Sequence, residues 1–272
     1  MVDSCLKKRF SRGGIKERFA DMLVVNSAAA GAYSGGKKKG SPSLFKLLSE
    51  KKEFLIAVFA NLITQLSISY FVMINYLKKG QAKEEKGKGK GKGEGEGESK
   101  ESGSLYWGLV FATFIIVVIL SMVSMPSWIK FILFCIFSVC WGILLSFMNS
   151  TLDSALIQTA ILGALAIFGV MFLMGAFLLV FGVALGYMAS SFLFFSLLLL
   201  ILGLVVTSLM GAYSYFEKMF AVIGLILFSL YIVYDTNTIL QRNYYGDFIT
   251  ASLDYYLDIL NIFLDLITLQ NR

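Results

Sequence analysis

The sequence predicts an all-α membrane protein with seven transmembrane helices, and three observations carry that reading. Hydrophobic residues make up 57% of the chain and mean hydropathy is +0.74, against about 45–50% apolar content in a soluble domain. Charges are segregated. Residues 1–53 hold twelve Lys/Arg and five Asp/Glu, residues 78–103 hold eight and six, and the remainder holds four and seven. Between these charged blocks, apolar runs of about 20 residues recur, the length needed to cross a hydrocarbon core of about 30 Å. The formal charge of +6 therefore belongs to a tail and one loop, and the membrane body is net acidic.

Taken in order, residues 1–53 form a basic tail rich in small residues. It is expected to be disordered and cytoplasmic, with a short amphipathic segment at Phe45–Leu48. No apolar stretch follows its first basic residues, so it does not read as a signal peptide. The first span is Phe54–Leu77; its Asn61, Thr64, Gln65, Ser67 and Ser69 suit interhelical hydrogen bonds or a polar pathway. Residues 78–103 are a low-complexity Lys/Glu/Gly segment, expected to be a flexible loop within the membrane domain of residues 54–272. The second span, Leu105–Val123, turns at Met125-Pro126-Ser127 into the third, Trp128–Met148.

From Ser154 to Phe216 there is no charged residue. A single helix of that length would reach about 95 Å at 1.5 Å per residue, so the run must fold back. Gly182–Gly186 and Ser190-Ser191 mark the break, giving spans near 155–180 and 191–212; the same GxxxG spacing could instead mark a close helix contact. The sixth span lies at about 217–238 and the seventh at 248–269. With the N-terminus cytoplasmic, inside segments hold fourteen Lys/Arg and outside segments ten, a bias that favours this orientation.

Composition also excludes chemistry. The chain has no histidine, the usual metal ligand and the usual proton switch near neutral pH. Cys5, Cys135 and Cys140 give no disulfide framework, and the latter two suit apolar packing. The basic residues lack interleaved aromatics or any binding motif, so nucleic acid is not an expected partner. The expected partner is the lipid bilayer, and no resident cofactor is expected.

Two carboxylates stand out against this background. Asp235 ends the run Phe220–Tyr234 and Asp258 lies inside the seventh span. Each costs about 2.5–3.5 kcal/mol at the centre of a spanning helix, so an intramembrane acid marks a functional site. On the seventh span, Asp254, Asp258, Asn261 and Asp265 are spaced i, i+4, i+7, i+11. They form one polar stripe that must face the protein interior. Tyr231, Asp235 and Thr238 share a face of the sixth span, and packing that face on the stripe satisfies both. Two facing carboxylates in a low-dielectric site cannot both ionise cheaply, so their titration belongs to the pair. They form a candidate pH-sensitive latch, or a Ca²⁺ site, because hard oxygen ligands suit that ion.

Tyr231-Ile-Val-Tyr-Asp235-Thr236 and Tyr256-Leu-Asp258-Ile-Leu-Asn261-Ile-Phe263 resemble the signature of the transmembrane BAX inhibitor motif family. Its usual form is YIxYDT followed, some 20 residues on, by YLDIINLF. Asp247-Phe-Ile-Thr-Ala-Ser-Leu253 resembles the lead into the family's last helix, Ile63-Thr64-Gln65-Leu66 is similar to its first-helix pattern, and Asn149 with Asp153 to its Asn-plus-acid turn. The lifeguard, or Golgi anti-apoptotic, branch is the nearest in pattern. The resemblance implies six helices around a central seventh and an endoplasmic reticulum or Golgi membrane. It also implies a cell-death-suppressing calcium leak gated by an aspartate pair, here Asp235 and Asp258, with cell-death or calcium-release membrane proteins as partners. Some members hold one aspartate with a basic group near the second helix. Leu105–Val123 has no Lys or Arg, and Lys130 lies beyond the turn.

Two other readings compete. A non-conducting membrane scaffold would regulate apoptosis through partner binding. An intramembrane aspartyl protease also uses Tyr-Asp on one helix and Asp on the next. Its second aspartate sits in GxGD, however, whereas Asp258 follows Tyr255-Tyr256-Leu257, and the chain's prolines are Pro42 and Pro126. The expectation is that this is not an enzyme.

Overall fold

The computed structural model describes residues 43–87, 95–148, 154–242 and 246–271. Among them the chain forms eight helices: α1 Leu44–Glu50, α2 Lys52–Gly87, α3 Gly95–Met122, α4 Ser127–Met148, α5 Ser154–Val180, α6 Tyr187–Leu209, α7 Tyr213–Arg242 and α8 Phe248–Gln270. The six helices α2 to α7 are long and apolar enough to cross a membrane. At 23 residues α8 has the length as well, but its three aspartates leave it outside a set chosen by apolar composition.

The termini of these helices follow local chemistry. The Ser43 hydroxyl accepts from the Lys46 amide to cap α1, the short segment expected around Phe45–Leu48. Pro126, whose missing N–H would have no partner at a helix start, offers its carbonyl to the amides of Ile129 and Lys130 as α4 begins. At the end of α5 the amide of Val183 reaches Leu178 O and that of Gly182 reaches Leu179 O. Gly182 has φ +83°. This is a left-handed helix stop that favours glycine. It settles the Gly182–Gly186 ambiguity in favour of a chain reversal. The same pair of bonds recurs at Gly211, φ +68°, between α6 and α7.

The Lys/Glu/Gly segment differs from expectation. Instead of an irregular linker starting at 78, helical backbone continues to Gly87 and resumes at Gly95. Its lysines, glutamates and glutamine are adequate helix formers. Residues 1–42 of the expected tail, and the Asn149/Asp153 turn, lie outside the described residues.

The last helix is the hub. It packs against α7, α2, α5 and α4, while α3 rests on α4 and α6 on α7. The expected ring is thus uneven, with four helices flanking α8 closely and two mainly supported by their neighbours. Tyr255 and Tyr256 of α8 are fully buried. The Tyr255 hydroxyl meets Thr236 Oγ1 at 2.9 Å and the Tyr256 hydroxyl meets Ser69 Oγ at 2.5 Å. The polar residues of α2 divide by face. Asn61 donates to Ser252, Gln65 accepts from Ser138, and Ser69 donates to Ser138 O, which ties α2 to α8 and α4. Thr64 bonds only its own helix at Ala60 O, and Ser67 faces outward. Close backbone approach supplements these bonds. A Cβ on Gly142 would sit 2.7 Å from Ser69 O, and one on Gly175 would sit 2.5 Å from Val233 O. Small residues permit such contacts in membrane bundles.

Candidate functional site

Antiparallel packing of α7 on α8 brings the two motif aspartates together. Asp235 and Asp258 are 7% and 5% exposed, and their carboxyls lie within interaction range of each other. Asp254, one turn before Asp258, adds a third carboxylate within electrostatic range of both. Tyr231 approaches the pair from α7 and Tyr255 from α8. Among the described residues no Lys or Arg is recorded acting on the pair.

Tyr231, Asp235, Asp254 and Asp258 form the floor of a cavity of about 760 Å³. Asp254, Asp258, Asn261 and Asp265 all line it, as the i, i+4, i+7, i+11 spacing requires of one helix face, and Tyr231 and Asp235 line it from α7. From Asp254 to Thr268 the floor runs about 21 Å along α8 at 1.5 Å per residue. Glu217 and Tyr213 join it near the start of α7. Thr238 is not part of this lining; it is buried, and its hydroxyl has no hydrogen-bond partner. Asn261 spends its amide on Leu257 O of its own helix. Asp265 fits because α7 is bare opposite it: a Cβ on Gly224 would come within 2.6 Å of Asp265 Oδ2.

The donor set limits what a metal could do here. Among the described residues, no three His, Cys, Asp or Glu side chains are placed to hold a metal ion. Ca²⁺ takes six to eight oxygen ligands. Two carboxylates alone would therefore leave such an ion largely hydrated.

Lys130, the basic residue nearest the expected latch position, is engaged elsewhere. Its ammonium is 7% exposed as a residue, and it pairs with the Asp247 carboxylate and donates to Thr250 Oγ1 at 2.8 Å. Asp247 is also the N-cap of α8, accepting from the Thr250 amide at 3.1 Å. This clamp fastens the start of α4 to the start of the aspartate helix, at the end of the bundle away from Asp265. Partial burial pushes the Asp247 carboxyl up, but hydrogen bonds from Lys130 and Thr250 outweigh that and hold it below the usual carboxylate range. Sequence reasoning missed the pairing because 117 positions separate the partners. The usable signal was a lone lysine inside an apolar run, which must find an acid.

A second group missed from sequence is Asn237, fully buried on α7. It accepts from the Leu185 amide at 2.8 Å and donates to Val183 O and Gly175 O. Gln241 adds a bond to Leu185 O. Together they hold the turn between α5 and α6 against the end of α7.

Comparison with known proteins agrees with this architecture. Residues 51–271 match the family described as Bax1-I, inhibitor of apoptosis-promoting Bax1. Three Arabidopsis thaliana proteins share a short, well-matched stretch. Protein LIFEGUARD 2 is 49% identical over 39 residues, covering 14% of this chain and 16% of that relative. Protein LIFEGUARD 3 is 50% identical over 38 residues, covering 14% and 15%. Protein LIFEGUARD 4 is 49% identical over 39 residues, covering 14% and 16%. The matched stretch thus spans about a sixth of each relative. The family match extends over most of this chain and includes both aspartates and the helices that bring them together. The chain is a multi-pass membrane protein that belongs to the Bax1-I family.

Proposed function

We propose that this protein is a pH-sensitive calcium leak of an intracellular membrane, endoplasmic reticulum or Golgi, with its N-terminus cytoplasmic. By setting store calcium it suppresses cell death. One observation carries the reading: a buried carboxyl pair on adjacent helices, each within interaction range of the other, at the floor of an acid-lined cavity. A proton shared between Asp235 and Asp258 holds α7 and α8 together. Loss of that proton leaves two like charges in a low-dielectric site, which repel and favour separation or a passing cation. Asp254, Tyr231 and Tyr255 lie within electrostatic range of the pair. Acid residues along α8 favour cations over anions throughout the cavity.

The scaffold reading makes a different prediction. If the protein acts only by binding cell-death or calcium-release proteins, neutralising the pair spares its effect once folding survives. The test expresses wild type, Asp235→Asn and Asp258→Asn at matched levels and measures store calcium and resistance to a death stimulus. The leak reading expects both readouts to change together in both variants. Unchanged death resistance with normal membrane abundance would rule it out in favour of the scaffold.

A further inference from the structure

We propose that the cavity above the aspartate stripe is a binding site for a single-chain amphiphile with a protonated amine head, admitted sideways from the bilayer. The inference begins with two buried oxygens that have no hydrogen-bond partner among the described residues, Asp258 Oδ2 and Asp265 Oδ2. Asp258 is 5% exposed and lines the cavity, as does Asp265. Buried acceptors of this kind are costly unless a donor reaches them. An ammonium brings three donors and a positive charge.

The rest of the cavity points to what carries that ammonium. Leu197, Leu200, Leu204 and Phe220 line the same cavity, a surface suited to a hydrocarbon chain. Phe114 of α3 and Ile201 of α6 also line the cavity and remain 66% and 47% exposed. Both helices are long and apolar enough to cross a membrane, so this side of the cavity reaches the lipid-facing surface. An anionic or phosphate-bearing head is repelled by the acidic floor, and a neutral head leaves its charge uncompensated. An amine-headed chain satisfies floor and wall together.

Trp141 also lines the cavity, with its indole N–H unpartnered, and gives a direct reporter of occupancy. The test uses the full chain in detergent carrying Trp107→Phe and Trp128→Phe. The probes are octadecylamine brominated at mid-chain and octadecanol brominated at the same carbons. The expected result is saturable quenching of Trp141 by the amine alone, with apparent affinity about tenfold weaker in Asp258→Asn and Asp265→Asn. Ile201→Phe narrows the cavity at a lining residue without replacing an acid, and should also weaken the amine; it keeps the test decisive if Asp258→Asn does not fold. Equal, non-saturable quenching by amine and alcohol, or unchanged amine affinity in the Asn variants, would overturn the proposal. Because the readout is occupancy and not flux, the result stands apart from whether calcium leaks.

Discussion

Asp247 does two jobs with one carboxyl, capping α8 and accepting the Lys130 ammonium. Replacing Lys130 with Met removes a charge-assisted donor from a partly buried acid and should cost about 1–3 kcal/mol of stability. Asp247→Asn keeps a good N-cap and should be milder than Asp247→Ala, which loses both roles. The pH dependence has a definite sign. The folded carboxyl titrates below its usual value, so its contribution is complete above the usual carboxylate range, near pH 4. It is lost as pH falls through the lower folded value. Thermal unfolding in detergent across pH should show this acid-side loss in wild type and not in Asp247→Asn; identical acid profiles would contradict it. At this scale the sequence was only partly readable. Asp235 and Asp258 stood out because charge in an apolar run is rare. The partner of Lys130 could not be read, since which acid a lysine meets depends on how the helices pack.

At the scale of elements, glycines separate stopping from packing. Gly182 and Gly211 end helices with positive φ, and Gly175 lets α5 lie against the backbone of α7. Gly175→Ala would drive a Cβ to 2.5 Å from Val233 O, which can yield only if α7 moves. An overpacking cost of about 1–3 kcal/mol is expected. Gly169→Ala, on the same helix with nothing within 4 Å of the added carbon, should be neutral or slightly stabilising. Comparing the two by thermal unfolding checks the α5–α7 contact, and equal effects would refute it. Gly182→Ala should cost about 1–2 kcal/mol from backbone strain alone, and Gly182→Asn less. Helix limits were largely legible because Pro126 and the glycines punctuate the chain. The ends of the Lys/Glu/Gly segment were not, since flanking helices can propagate into residues that would not nucleate one.

For the whole molecule, the stripe on α8 dictated a central last helix, and the structure places that helix against four others. The cavity was beyond sequence reasoning, because its lining comes from five helices, α3, α4, α6, α7 and α8, brought together only by packing. With the clamp at one end of α8 and the acid floor running toward the other, the bundle has a fastened end and an end near Asp265 and Glu217. The central claim is that the buried carboxyl pair gates cation passage through this arrangement. Calcium efflux from proteoliposomes, measured across pH for wild type, Asp235→Asn and Asp258→Asn, tests it most directly. The account predicts efflux in wild type that rises as the shared proton is lost, and a pH dependence that is flattened or displaced in both variants. Efflux no faster than from empty liposomes at every pH, or identical pH profiles in all three proteins, would contradict it.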